Sequence, residues 1–350
     1  MNITFLIGNG FDLRLGLKTR FTDMYTDYVH KHSPNGVVRN FKRDLMLSAP
    51  NGFETWGDFE MAMAEYAASF QTESDLIACV RDFKEYMGEH LQKEQDTFRR
   101  YVAENSGYIA CAKEMERSLE QFHKGQTPNV INAIEAIGNM ESAHYEFITF
   151  NYTSLLDDIL DVFSKYSEFT DAKKLIHIHG HLDTDVVLGI DNISQFGQLP
   201  YVLTKRGERA FIKPLFNTQF DSSRVNAAEK AIEESDVICI YGMSLGQSDR
   251  MWIKKIYEWL LADPKHHLIY YKYLDLHFSA LRRDEMMDIE DEQRTELIKK
   301  LCDEEETEPL ENQVHIPIGY DIFDFKNAII QNTEKRKKPE FVTIGSMKSY

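Results

Sequence analysis

The sequence alternates between short apolar runs and helical patterns, and each run ends abruptly in glycine or a polar residue. The first run, residues 2–7, leads directly into the turn sequence Gly8-Asn9-Gly10. Similar runs predict further strands at 147–150, 175–179, 186–189, 237–241, 267–273 and 314–318. Strands that alternate with helices form βαβ units and a mostly parallel sheet. The pattern therefore predicts a doubly wound α/β fold, whose ligands bind beyond the carboxyl ends of the strands.

One long segment has no strand pattern. Between residues 52 and 142, apolar residues recur three and four positions apart, which predicts three or four helices. We therefore expect a large all-helical insertion after the first strand–helix unit. The predicted domains are an α/β core at 1–51 and 143–333, the insertion at 52–142, and a basic C-terminal tail at 334–350.

Charge and apolar content limit the expected partners and location. The chain has 40 Lys+Arg and 57 Asp+Glu, and its formal net charge of −17 opposes non-specific binding to nucleic acid, which depends on basic side chains. No apolar run approaches the roughly 18 residues of a membrane-spanning helix. The N-terminus also lacks the basic region of a signal peptide. We therefore expect a cytoplasmic protein without a membrane partner.

The cysteines indicate neither a disulfide framework nor a structural zinc site. Four are present, far apart and without C-x-x-C spacing, at Cys79, Cys111, Cys239 and Cys302. Such cysteines are typical of buried, free thiols in a reducing compartment.

The first predicted strand ends in a glycine turn. Glycines at this point allow backbone amides to approach a phosphate or a ribose closely, although an ordinary tight turn uses the same residue types. The sixth position of the turn is Leu13, so the dinucleotide fingerprint G-x-G-x-x-G is incomplete. The candidate ligand-binding residues of this turn are Gly8, Asn9, Gly10, Phe11, Asp12 and Gly16.

A second glycine turn follows the run at 237–241. Its candidate phosphate or ribose contacts are Gly242, Ser244 and Leu245. Asp249 fits a ligand contact and the N-cap of the next helix equally well. The turn also matches the nucleophile elbow G-x-S-x-G, in which Ser244 would need a histidine further along the chain, at His266, His267 or His315.

Two other strand ends carry polar side chains. Asn151 follows the run at 147–150, where its amide suits a ribose hydroxyl, a water or a helix cap. Three histidines alternate around the end of the run at 175–179, at His177, His179 and His181. They lack the further cysteine or carboxylate of a usual zinc site, so we expect no metal. A histidine beside a glycine at a strand end suits a general base or a buried core residue.

These four polar strand ends share one edge of a parallel sheet. Each of them is ambiguous when it is considered alone. Because the carboxyl ends of parallel strands meet at a single crevice, together they predict a nucleotide site.

The order of these motifs resembles the AbiH family of bacterial phage abortive-infection proteins. The resemblance rests on IGNGFDLRLGLKT, TWGDFE, FITFNYTSLLD, IHIHGHLD with VLGID, and YGMSLGQSD, and it spans residues 3 to about 250. Lys18 stands where the family usually has a proline, which should affect the rigidity of the turn more than its chemistry. The resemblance implies a role in defence against phage, with a homo-oligomer or a regulatory partner that controls the site.

More distantly, the motifs are similar to those of the sirtuin-type NAD-binding fold, which belongs to the Rossmann type. Asn151 falls on the asparagine that handles water and the nicotinamide ribose, and His179 falls on the catalytic base. Ser244 falls on a phosphate or ribose contact, whereas Thr153 replaces an aspartate that contacts the ligand. The spacing of the glycine motif is matched by Gly8, Gly10 and Gly16. Without a Cys₄ zinc ribbon, the chain resembles the sirtuin-like NADases of phage defence more than the deacylases.

The second resemblance implies an NAD glycohydrolase, which cleaves the bond between nicotinamide and ribose without a metal. Asn151 would position a water, His179 would accept a proton, and Asp12 would be a further ribose or water partner. The amides of Gly8 to Gly10 would hold the phosphates. Three alternatives remain: a sensor that binds NAD, ADP-ribose or another nucleotide without cleaving it, a nuclease, and a serine hydrolase.

Overall fold

The computed structural model describes residues 1–53, 55–138, 142–167, 174–220, 222–272, 283–302, 310–317 and 320–337. Within them lie the strands β1 Asn2–Ile7, β2 His144–Thr149, β3 Lys174–His177, β4 Gly180–His181, β5 Asp185–Val186, β6 Val237–Tyr241, β7 His267–Tyr271 and β8 Val314–His315. Six of these form one sheet in the order β3-β2-β1-β6-β7-β8, and every adjacent pair is parallel. The predicted α/β class with a mostly parallel sheet is confirmed.

The central strands end together at one edge of the sheet. Ile7 of β1 aligns with Thr149 of β2 on one side and with Tyr241 of β6 on the other. Thr149 in turn aligns with His177 of β3. The residues that follow these strands therefore emerge side by side along the carboxyl edge.

The strand predicted at 186–189 is wrong. Only Asp185–Val186 is extended there, and it pairs antiparallel with Gly180–His181 in a separate two-stranded ladder. Leu188 of this run and the following Ile190 pack among the helices instead of in the sheet. A short apolar run indicates that the segment is buried, but periodicity alone does not distinguish a strand from another kind of buried segment.

Helices surround the sheet along most of the described chain. They are α1 Gly10–Leu15, α2 Phe21–His30, α3 Gly36–Ser48, α4 Trp56–Tyr66, α5 Glu73–Glu104, α6 Tyr108–Gln121, α7 Pro128–Ile137, α8 Leu155–Tyr166, α9 Lys205–Phe211, α10 Lys213–Phe220, α11 Ser222–Glu233, α12 Arg250–Ala262, α13 Arg283–Leu301 and α14 Phe325–Lys337. Short 3₁₀ turns occur at Ala67–Ser69, Ile193–Gln195 and Gln247–Asp249. None of the helices in the described ranges is both long and apolar enough to cross a bilayer.

Both faces of the sheet are covered by apolar cores, because successive side chains of a strand point to opposite faces. Phe5 of β1 lies in a core to which α6, α8 and α14 contribute. Its neighbour Leu6 lies in the opposite core, with α11, α12 and α13. A third core joins α2, α3, α4, α9 and the first part of α5, and we call this group the helical layer.

The predicted insertion at 52–142 contains α4, α5, α6 and α7. Its first half packs with α2 and α3 in the helical layer, and its second half, through residues such as Met115 and Ile134, covers one face of the sheet. The boundaries at 51/52 and 142/143 stay predictions. The tail predicted at 334–350 begins inside α14, and residues 338–350 lie outside the described residues.

The four cysteines are free and buried, as the sequence predicts. Burial raises the pKa of the Cys79 and Cys111 thiols to about 12. These thiols therefore stay protonated and unreactive at neutral pH.

Candidate active site

A cavity of about 350 Å³ lies at the carboxyl edge of the sheet, where β1, β2 and β6 end. Its volume lies within the range of about 300–1,000 Å³ that is usual for small-molecule sites. β1 separates the strands that follow it directly in the chain from those that come later, and open parallel sheets bind ligands at such a reversal. Of the predicted site residues, those that line this cavity are Gly8, Asn9, Gly10, Asp12, Asn151, His179, Gly242, Ser244, Leu245 and Asp249.

Three predicted site residues do not line the cavity. Phe11 is buried, with its ring against those of Phe323 and Phe325. Gly16 ends α1 in the left-handed region, at φ 90°. Thr153 lies behind Asp12, to which its hydroxyl donates.

The two glycine turns pack directly against each other. A Cβ atom on Gly10 would lie 2.4 Å from the Cα of Gly242, and a Cβ on Gly8 would lie 2.6 Å from the Gly242 oxygen. Gly242 itself has φ 69°, a conformation that side chains disfavour. The glycines are therefore required by the close approach of two backbones.

This packing changes the role expected of the first turn. The amide of Gly8 donates to the Tyr241 carbonyl and that of Gly10 to the Gly242 carbonyl, each at 2.8 Å. Both amides are used within the protein, so the expectation that they hold a phosphate is wrong for these two groups. Asn9 is likewise engaged, since its side chain exchanges two hydrogen bonds with Thr19.

Asp12 and Asn151 form a buried polar pair beside the cavity. The Asn151 amide donates to Oδ1 of Asp12 at 3.2 Å, and the Thr153 hydroxyl donates to Oδ2 at 2.8 Å. Burial raises the pKa of Asp12 to about 7, and the two hydrogen bonds oppose this rise. Asp12 therefore changes protonation near neutral pH, next to the side chain expected to hold a water.

His179 lies at one end of a row of ionisable side chains, in which Asp249 is partly exposed and Lys213 and Glu60 are buried. Its Nε2 lies 3.2 Å from Oδ1 of Asp249, and the same oxygen accepts a hydrogen bond from Nζ of Lys213 at 3.0 Å. Lys213 also donates to Glu60 Oε2 and to the Ser248 carbonyl, each at 3.0 Å. Asp249 occupies the N-cap position of α12, as one of the two sequence predictions has it, but its side chain makes no cap bond there and contacts Lys213 and His179 instead.

Electrostatics keep Lys213 and Asp249 ionised. Burial opposes the charge of Lys213, but the carboxylates of Asp249 and Glu60 outweigh it and raise the pKa of Lys213. Burial likewise opposes the charge of Asp249, and Lys213 with His179 holds the pKa of that carboxyl below its usual range. Nearby Asp191 is partly buried, accepts a hydrogen bond from the amide of Met251, and has its pKa raised by desolvation to about 7.

The three histidines at 177, 179 and 181 contact different partners, and that of His179 is Asp249. His177 contacts Asp157 at 3.0 Å, whereas His181 Nδ1 accepts the amide of Asp183. Across the described ranges, no three or more His, Cys, Asp or Glu side chains are grouped so that they could hold a metal ion.

The candidate partners of a serine nucleophile lie far from Ser244. Ser244 follows β6 at the carboxyl edge, whereas His267 begins β7 at the amino edge and contacts His315 at 2.9 Å. His266 precedes His267 and contacts the carbonyl of Trp259. The serine-hydrolase alternative is therefore not supported.

Several lining residues escaped the sequence predictions, namely Arg20, Trp56, Glu60, Tyr152 and Lys213. For two of them a signal was present. Glu60 lies among the apolar positions of its helix, and Lys213 interrupts the apolar stretch AFIKPLF. A single charge within an apolar pattern indicates a buried charge, which needs a partner.

Comparison with known proteins identifies the family of this chain. A search of curated proteins finds no match to this sequence. Residues 4–271 match the family model described as Bacteriophage abortive infection AbiH, which covers well over half of the chain. Membership in this family indicates a function in phage abortive infection. The chain belongs to the AbiH family.

Proposed function

We propose that this AbiH protein binds NAD in the cavity and hydrolyses the bond between nicotinamide and ribose. One observation carries the proposal: Asp12, Asn151 and His179 line a single cavity at the reversal of strand order. One bound molecule could therefore contact His179 as the proton acceptor, Asn151 as the side chain that holds a water, and Asp12 as a carboxyl that titrates.

The cavity walls suit a nucleotide. Aromatic side chains line it, including those of Trp56 and Tyr152, whose ring centroids are 6.3 Å apart. Such rings provide flat apolar surfaces for a base or for nicotinamide. Arg20 lines the same cavity, is exposed, and forms no ion pair with a described residue. We assign to Arg20 the pyrophosphate contact that the Gly8 and Gly10 amides cannot make.

The reaction needs a water, a proton acceptor and a neutral leaving group. Asn151 donates through Nδ2 to Asp12, and Oδ1 of Asn151 receives no hydrogen bond from the described residues, which leaves it to accept one from a water. The oxygen of this water forms the new bond to the anomeric carbon, while the bond to the nicotinamide nitrogen breaks. The electron pair of that bond neutralises the pyridinium, and His179 takes the proton of the water.

The test is to incubate pure protein with NAD, with and without candidate phage triggers, and to follow nicotinamide release. His179→Ala should lower the rate by about 100-fold or more, as loss of a general base does. Exposed His32, which makes no hydrogen bond within the described ranges, provides the matched control His32→Ala. Equal release by the wild type and His179→Ala under every trigger would overturn the proposal.

A second candidate function is a sensor that binds NAD or ADP-ribose without cleaving it. It is favoured by the number of cavity groups already engaged within the protein, among them the amides of Gly8 and Gly10 and the ammonium of Lys213. Calorimetric binding without product, unchanged in His179→Ala, would support the sensor and exclude the hydrolase.

The family role adds a requirement for control, since a protein that destroys a host metabolite must be inactive until it is triggered. We propose that self-association or a partner acts through the helical layer, because Arg20, Trp56 and Glu60 bring this layer into the cavity. Mass photometry combined with the nicotinamide assay tests this, and a monomer with constant activity would contradict it.

A further inference from the structure

We infer that Lys213 is a positioning residue, which is clamped by Glu60 and holds the Asp249 carboxylate against Nε2 of His179, so that Nδ1 is the ring nitrogen left to accept a proton. The catalytic consequence of this inference rests on the proposed function. The arrangement of the four side chains can be tested without any activity.

The Lys213 ammonium has no hydrogen left to donate to a ligand. Its ammonium has three hydrogens, and three acceptors lie at 3.0 Å: Glu60 Oε2, Asp249 Oδ1 and the Ser248 carbonyl. The side chain is 5 % exposed and that of Glu60 is 4 % exposed. Although Lys213 lines the cavity, it therefore acts through Asp249 and does not bind the substrate.

The shared oxygen of Asp249 determines which nitrogen of His179 carries the proton. Oδ1 lies 3.0 Å from Lys213 Nζ and 3.2 Å from His179 Nε2. Nε2 is buried and forms no hydrogen bond of ordinary geometry with the described residues, but the negative charge of the Asp249 oxygen at 3.2 Å repels a lone pair and attracts a proton. In the neutral imidazole, Nε2 therefore carries the hydrogen and Nδ1 keeps its lone pair. No described residue makes a hydrogen bond to Nδ1.

Aromatic rings fix the plane of this imidazole. The Phe150 ring meets it edge to face, with centroids 5.3 Å apart and planes at 87°. The Tyr152 ring stacks on it at 6.0 Å and 28°. The hydroxyl of Tyr152 is itself held by the Val187 carbonyl at 2.9 Å. The ring is thus oriented by Asp249 at one atom and by two aromatic faces.

The charge of Lys213 keeps Asp249 ionised beside His179 Nε2. A partly buried carboxylate that loses its cation takes up a proton or draws in water, and either change weakens the fixed negative charge beside Nε2. Glu60 prevents Lys213 from moving away, and Glu60 is held in turn by the amide of Gly189 at 2.9 Å. Helix α4 therefore reaches the reactive histidine through three side chains.

The test uses protein labelled with ¹⁵N in its histidine rings, and the His179 signals are assigned by their loss in His179→Gln. In the wild type we expect a slowly exchanging proton on Nε2 and none on Nδ1. Asp249→Ala should abolish this signal, and Lys213→Met should abolish or broaden it. The control Lys42→Met removes another buried lysine, whose ammonium pairs with Asp82 and donates to the Lys31 carbonyl, and it should leave the signal unchanged.

Lys213→Met leaves two carboxylates without their cation and can fail to fold. The double variant Glu60→Met with Lys213→Met removes one charge of each sign, and such replacement of a buried ion pair is often tolerated. It should fold, lose the protected Nε2 proton, and lower kcat for nicotinamide release at least 10-fold while KM stays within about twofold.

Three outcomes separate this inference from the proposed function. A proton found on Nδ1 in the wild type overturns the inference, whatever the activity. A protected Nε2 proton that survives in the double variant and in Asp249→Ala also overturns it. If the spectra are as expected but no nicotinamide is released, the positioning role of Lys213 is supported and only the proposed hydrolase activity is contradicted.

Discussion

Asp12 is buried without a cation, which is unusual for a carboxyl group. Its exposed fraction is 2 %, and its partners are the neutral side chains of Asn151 and Thr153. Burial therefore raises its pKa from 3.8 to about 7. Near neutral pH, the group beside the proposed water position is divided between its two protonation states.

The raised pKa of Asp12 predicts how stability depends on pH. A carboxyl that holds its proton more tightly when folded favours folding most at low pH, and this contribution declines as the pH rises from about 4 to about 7. Relative to Asp12→Asn, the wild type should lose on the order of 4 kcal/mol of unfolding free energy over that interval. Urea unfolding at several pH values measures it.

The control for this experiment is Glu65→Gln, because the Glu65 side chain is exposed and makes no hydrogen bond to the described residues. Asp191, whose pKa is also raised by burial, contributes equally to all three proteins and cancels from the comparison. Parallel pH curves for the wild type and Asp12→Asn would show that Asp12 does not titrate in this way.

Arg20 gives a prediction about ligand class. Arg20→Ala should weaken binding of NAD about tenfold, because it removes a charged partner of the pyrophosphate, and should leave nicotinamide riboside unaffected. Arg20→Lys should retain most of the affinity for NAD. Exposed Arg81 serves as the control variant Arg81→Ala. Calorimetry with both ligands decides, and an equal loss of affinity for both would remove Arg20 from the phosphate contact.

At the scale of the elements, the carboxyl edge depends on two turns that touch. Gly8 and Gly10 follow β1, Gly242 follows β6, and these strands are neighbours in the sheet. The site is therefore built where no side chain fits between the two turns. Any side chain there would displace the residues on which the cavity depends.

Gly242→Ala should consequently be destabilising. Its Cβ would lie 2.6 Å from the Cα of Gly10, at φ 69°, so the variant combines backbone strain with a steric clash. We expect a loss of about 2 kcal/mol or more. Gly88→Ala, in helix α5 with nothing within 4 Å of the added Cβ, should instead gain about 0.5–1 kcal/mol. Urea midpoints that shift in the same direction for both variants would contradict this account.

At the scale of the whole molecule, the described residues form three apolar cores, and polar and aromatic contacts link the helical layer to the rest. The helical layer meets the sheet through the pairing of Glu60 and Lys213 and through aromatic contacts such as that of Trp56 with Tyr152. Residues on both sides of the predicted boundary at 51/52 share the third core. We therefore expect the sheet and the helical layer to unfold together.

Two core substitutions test this cooperativity. Phe59 lies in the core of the helical layer and Phe147 lies on the sheet, and both side chains are fully buried. Phe59→Ala and Phe147→Ala should each lower the free energy of unfolding by about 3–5 kcal/mol, and each should shift the midpoint of a single common unfolding transition. Tryptophan fluorescence and circular dichroism should report the same midpoint. Two separate transitions, with only one affected by Phe59→Ala, would show an independent helical domain.

Much of the α/β core was predictable, because local patterns specify it. An apolar run that stops at glycine or a polar residue identifies a strand and its end within a few positions, as with β1 before Gly8 and β6 before Gly242. Parallel strands then bring their ends to one edge, so Asn151, His179 and Asp12 could be expected in one place. The same reasoning failed at 186–189, where burial came from helices and not from a sheet.

The partners of the charged groups could not be predicted in this way. Glu60 and Lys213 are 153 positions apart, and no local pattern links residues at that separation. They meet because α4 packs against the turn Gln247–Asp249, to which Lys213 of α10 also donates, just as the contact of Gly10 with Gly242 follows from the adjacency of β1 and β6. Local structural propensities depend on neighbouring residues and can be deduced from the sequence. The desolvation that makes a buried charge require a partner arises only after the chain has folded.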